Sequence, residues 1–206
     1  MADVSFLTHS PLFADAVEKA RRGNQILFSR ESKCLQPLLQ AFQFQSRRTL
    51  VLWALTCVQT PAALLQTRYP EDSRPRQAVE LATAWAAGSI KMPLAKQGIL
   101  AVHAMAKEVA SAADAALCHA VGQGCAAVHT EGHAIGLALY ELTAIVLSSN
   151  GDTCISALEK RIAEYEAALP RCKAEAENPC RLWAPFLRKE NDRPNAELRR
   201  ITRQKA

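Results

Sequence analysis

Three of the five histidines, two of the seven cysteines and four of the eight glycines fall within one stretch, Leu117 to Gly136, LCHAVGQGCAAVHTEGHAIG. Imidazole and thiolate ligate transition metals and serve as nucleophile and base in covalent catalysis. On an unbroken helix Cys118, Cys125, His129 and His133 would share one face, because a turn takes about 3.6 residues. Along the axis, however, Cys118 and His133 would lie about 22 Å apart. Donors of one zinc site sit within about 4 Å of each other. A metal site here therefore reduces to Cys125 with His129, or His129 with His133, completed from elsewhere by a residue such as His103. The acid of HTEGH stands third, so the run is not the metalloprotease pattern H-E-x-x-H. Cys125 and His129 could also form a nucleophile and base, but the sequence marks no acid to orient the imidazole.

The glycines favour a different reading. Glycine inside a helix costs about 1 kcal/mol relative to alanine, so Gly122, Gly124, Gly132 and Gly136 need an offsetting gain. Close approach of a neighbouring backbone supplies one, and Ala126, Ala127, Ala134 and Ala138 extend the smooth surface. The stretch is expected to be a packing seam whose histidines hydrogen-bond loop carbonyls or helix ends, with no cofactor and no metal required. Upstream, Arg74 and Arg76 of SRPR could engage a carboxylate bidentately, or brace the acidic loop PED before them.

Helices must position these residues. No window alternates β-branched and polar residues as strands do, and Ala, Leu, Glu, Gln, Lys and Arg dominate. Pro11 and Arg22-Gly23 bracket a first helix, and Glu31 to Phe44 reads as a second. Ser46 caps a third, RRTLVLWALTCVQ, apolar on nearly every side and so central. Thr60-Pro61, Pro75 and Pro93 each read as helix starts and Gly88 as a stop. A helix from Ala112 to about Val128 follows, then one capped by Thr130, and CISALEKRIAEYEAAL is expected to end at Pro170. The expected fold is all-α: about nine helices in antiparallel pairs, forming a compact bundle or a short α-solenoid.

With 206 residues, 49% hydrophobic and 22% charged, the composition is that of a globular domain able to bury a core without disulfides. Residues 1–186 are read as one helical domain. In residues 187–206, Lys or Arg at 188, 189, 193, 199, 200, 203 and 205 face acids at 190, 192 and 197, making a basic tail. The seven scattered cysteines, never spaced C-x-x-C, read as small buried apolar residues. The longest apolar run, Leu50 to Val58, is short for a membrane span, and no secretory signal opens the chain, so a cytoplasmic protein without a membrane partner is expected. There is no G-x-S-x-G elbow and no phosphate-binding loop.

Four segments in order, SRRTLVLWALTCVQ, YPEDSRPRQAVELATAWAAGSIKMPLAKQGILAVHAMAKE, CHAVGQGCAAVHTEGHAIG and ALYELTAIV, resemble the successive motifs of the bacterial Imm-5-like immunity proteins over about residues 46–147. The motif positions are Trp53, Arg74, Pro75, Arg76, Trp85, Gly88, His103, His119, His129 and His133. Arg47 stands where the family often has histidine, and Gly122 and Gly124 where alanines are commoner. The resemblance implies a helical, non-enzymatic protein of a toxin-immunity system that binds and neutralises a cognate toxin. The chain's +5 charge suits a neutral or acidic toxin surface, unless Glu159, Glu164 and Glu166 offer an acidic patch. The alternative is a helical metalloprotein or metal-dependent enzyme using Cys125, His129, His133 and His103. Nucleic-acid binding through the tail is disfavoured, and a homo-oligomer is left open.

Overall fold

Proline and glycine divide the chain into α1 (Ala14–Arg21), α2 (Gln36–Phe42), α3 (Arg47–Cys57), α4 (Gln59–Arg68), α5 (Arg74–Ala87), α6 (Met92–Met105), α7 (Ala112–Ala126), α8 (His133–Ser148), α9 (Thr153–Ala176) and the single turn α10 (Pro185–Arg188). The computed structural model describes residues 4–149, 151 and 153–188, and no strand occurs among them. The expected basic tail, apart from Leu187 and Arg188, lies outside the described residues.

Local chemistry accounts for most boundaries. The Ser46 hydroxyl accepts from the Thr49 amide and starts α3, which satisfies one of the orphan N–H groups of a first turn. Pro75 and Pro93 lie in the first turns of α5 and α6, where a missing N–H costs nothing. Gly88 takes φ 82° and ends α5, with its amide and that of Ser89 closing on Trp85 and Ala84, a left-handed cap open to glycine without strain.

Several boundaries differ from expectation; the second helix, expected from Glu31, starts at Gln36 after a tight turn over Lys33–Leu35. Thr60 does not cap: α4 starts at Gln59, directly after α3. Thr130 does not cap α8 either; Gly132 is the N-cap, and the first amides of α8 bond Thr130 and Glu131 carbonyls in tight turns. Pro170 does not end α9, which runs to Ala176. Pro170 and Glu166, whose carbonyl the proline leaves unbonded, are both exposed, so water can replace the lost helical bond.

Between α3 and α4 lies a break with a use. Pro61 has no N–H to offer the carbonyl four residues back, that of Cys57. Arg161 of α9 fills the gap, its Nη2 donating to the Cys57 oxygen at 2.9 Å. The same guanidinium donates to Glu141 of α8 from Nη2 at 3.0 Å and forms an ion pair with it at 2.9 Å through Nε, and the Tyr165 hydroxyl donates to Glu141 at 2.6 Å. Trp53 of α3 donates its indole N–H to the Tyr165 carbonyl at 2.8 Å. Three helices are thus joined through a polar knot inside the core. Taken together, Arg47–Arg68 is long and apolar enough to cross a membrane by composition, but 67% of its most apolar window is buried within the protein.

The centre of the fold is α7, whose inward positions are mostly small: Ala113, Ala116, Cys118, Ala120, Gly122, Gly124 and Cys125. Such residues let several axes approach one, and α7 packs on α3, α4, α5, α6 and α8. The α5–α6 and α7–α8 pairs are hairpins with extensive contact. Each repeat of a solenoid touches only the repeats beside it, so the contacts of α3 with the distant α8 and α9 make the fold a bundle.

Candidate functional site

Three of the motif histidines converge where α6, α7 and α8 meet. Nδ1 of His103 on α6 and Nδ1 of His119 on α7 are 2.9 Å apart. One must carry the proton and donate while the other accepts. The His119 ring packs on Tyr140 of α8, centroids 5.1 Å apart. His133, at the start of α8, donates from Nδ1 to Oε1 of Gln123 at 2.7 Å. Burial pushes the His103 imidazole below its ordinary pKa, and positive charge on His119 or His133 would push it further; burial alone does the same to His119. Both are neutral near pH 7.

The glycines make room for these rings. A Cβ on Gly122 would clash with the ring of His103; one on Gly136 would lie 2.5 Å from Gln123 Oε1, and one on Gly124 2.5 Å from Leu137 Cδ1 and 2.9 Å from Val58 Cβ. The expected packing seam is present, and His119 and His133 bond side chains through Nδ1. Carbonyls at the α7–α8 turn are taken by arginines: Arg47 donates to Val128 and His129, and Arg30 to Gly132.

His129 lies apart from the other three. It is exposed and stacks on Trp85, centroids 6.1 Å and planes 23° apart. Phe186 of α10 packs on the other motif tryptophan contact, Trp85 at 5.6 Å, and under the Arg47 guanidinium. Cys125 is fully buried, and burial pushes its thiol up to about 12. The break after Ala126 is what separates them: α7 stops before His129, so the shared face of a continuous helix does not form. The candidate set Cys125, His129, His133 and His103 is dispersed. Among the described residues no group of three or more His, Cys, Asp or Glu is placed to hold a metal ion.

The remaining motif positions serve the scaffold. Trp53 is buried in the polar knot. Arg74 donates to Asp72 at 2.6 Å and to Glu108 at 2.6 Å, so it braces the acidic loop and ties it to the end of α6. Hydrogen bonds from its guanidinium, helped by its charge, hold both carboxyls below the usual carboxylate range. Arg76 is exposed and pairs with Glu80 one turn on. Six cysteines are buried as expected, whereas Cys180 is exposed. Glu164 of the expected acidic patch is spent on Arg161 at 2.8 Å, leaving Glu159 and Glu166 exposed.

Sequence reasoning missed the Glu141–Arg161–Tyr165 knot. Its available signal was an acid inside the otherwise apolar run HAIGLALYELTAIVL. Burial pushes the Glu141 carboxyl up, while Arg161 opposes that shift.

Chemically, His103 and His119 are committed to each other through Nδ1, and His133 to an amide through Nδ1. His103 and His119 bond one another, not a hydroxyl, thiol or carboxylate, and burial holds the adjacent Cys118 thiol up at about 12. This arrangement orders three helices. A family described as "Imm-5 like putative immunity protein" matches residues 40–168, from α2 into α9 and including every motif position above. No curated protein and no solved structure matches the chain.

Proposed function

The chain belongs to this Imm-5 like family, and from that membership we propose that it binds a cognate bacterial toxin and neutralises it by occupying its surface, without catalysing a reaction. The family match across 40–168 carries the reading. The commitment of His103, His119 and Arg74 to internal bonds supports it, because these groups are used in holding the bundle.

The contact surface we assign to the toxin is the outer stripe of α6. Met92, Lys96 and Leu100 stand one turn apart on the side opposite the buried Ala95, Gly98 and Val102. Met92 is 41% and Leu100 55% exposed. Large apolar side chains aligned on an exposed helix offer the anchors that interfaces use. Lys96 among them suits a neutral or acidic partner.

The test is a pull-down with the tagged chain from its own organism, followed by expression of the recovered polypeptide alone. A stoichiometric partner that is toxic alone and harmless when bound supports the reading. A partner that is not toxic, or whose toxicity survives complex formation, overturns it.

A further inference from the structure

A cavity of about 550 Å³ opens between the segment after α1, the end of α6 and the faces of α7 and α8. Its walls include Ile26, Leu27, Ala116 and Leu147, and its polar groups include His119, Tyr140 and Lys107. That volume falls within the range of small-molecule sites, which combine apolar walls with a few placed polar groups.

The polar groups are available. His119 spends Nδ1 on His103 and makes no other hydrogen bond among the described residues. The half-buried His119 ring lines the cavity. Each neutral ring carries one proton, so His119 Nε2 accepts when His119 Nδ1 donates to His103 and donates when His103 Nδ1 is the donor, the two states being related by proton exchange at both Nε2 atoms. Lys107 has no ion pair among the described residues, and the neighbouring acid, Glu108, is engaged by Arg74. No Asp or Glu lines the cavity, which therefore presents one cation, a hydrogen-bonding imidazole and apolar walls beside the Tyr140 ring.

We propose that this cavity binds a small aromatic carboxylate. Its ring lies among the apolar walls and Tyr140, its carboxylate meets Lys107, and a ring substituent or the second oxygen bonds His119 Nε2. The site is distinct from the α6 stripe and does not depend on the toxin-binding reading.

The probe is 2-naphthoate, titrated calorimetrically into the full chain, with 2-naphthamide as its neutral counterpart. The expected result is saturable 1:1 binding with a Kd of about 1 mM or tighter, and binding of the amide weaker by about tenfold. Lys107→Gln, at an exposed position, removes that preference. Ala115→Phe on α7 and Ala20→Phe on α1 fill the cavity from opposite walls and abolish binding in whichever variant keeps the wild-type melting curve. Absence of saturable binding, equal affinity for acid and amide, no effect of Lys107→Gln, or undiminished binding in a folded cavity-filling variant would each overturn the proposal.

Discussion

The ring of His103 occupies the volume that a Cβ on Gly122 would need, and it is held there by the 2.9 Å bond between its Nδ1 and that of His119. Helix propensity alone makes Gly122→Ala stabilising by about 1 kcal/mol. Displacing a ring from a packed seam costs about 1–3 kcal/mol, so the net change is a loss and the melting temperature falls. In a His103→Ala background the obstruction is gone and the same substitution becomes stabilising. Thermal melts of the four proteins check this reversal of sign; a loss from Gly122→Ala in both backgrounds would sink the explanation.

Gly124→Ala has no such escape. Its Cβ would meet Val58 Cβ at 2.9 Å, an atom fixed to the backbone, so we expect about 2 kcal/mol of destabilisation in denaturant melts, with no recovery on removing His103.

Acid should loosen the seam. The folded-state pKa values of His103 and His119 are depressed, so their contribution is fully present above about pH 6.5, the unfolded value. It is lost as pH falls below that point towards the folded values, because the unfolded state takes up protons first. Melting temperatures from pH 7.5 to pH 5 should decline, and the His103→Gln, His119→Gln double variant should show a shallower decline. An unchanged slope would remove these residues from the account.

The Arg161 guanidinium links the Cys57 carbonyl and the Glu141 carboxyl in the core. Arg161→Met strands a buried acid, which costs about 3–5 kcal/mol. Adding Glu141→Leu removes the stranded charge and should recover a large part of that loss, read from urea unfolding midpoints. A loss below about 1 kcal/mol in the single variant would show that the knot is unimportant to stability.

Helix identity was legible because proline, glycine and serine mark helix ends by backbone chemistry, as at Ser46, Pro75 and Gly88. Thr130 and Pro170 misled for the same reason: their local preferences were overridden by what surrounds each, tight turns at one and exposed backbone at the other. The packing role of Gly122 and Gly124 could be read from their cost in a helix. The partners they admit, His103, Leu137 and Val58, come from distant helices and are set by tertiary contact. The break that splits His129 from the other three histidines was legible to within a few residues in Thr130 and Gly132, whereas the stacking of His129 on Trp85 of α5 is set by tertiary contact. The glutamate–arginine–tyrosine knot joins residues 57, 141, 161 and 165, a juxtaposition that spacing along the chain does not encode.

For the α6 stripe, Leu100→Lys should weaken toxin binding by at least about tenfold, as loss of an anchor worth 1.4 kcal/mol or more does. Its exposed position makes the melting temperature nearly unchanged. Calorimetric titration against the recovered toxin, with a melt of the same sample, separates the two effects. Full affinity in Leu100→Lys and Met92→Lys would move the interface elsewhere.

The central claim meets its most direct test in growth of cells producing the recovered toxin, with and without this chain. Neutralisation by binding predicts that the wild-type chain restores growth in proportion to the complex formed, and that Leu100→Lys, produced at equal level, does not. Continued killing in cells that contain the toxin and an excess of the folded wild-type chain would contradict it.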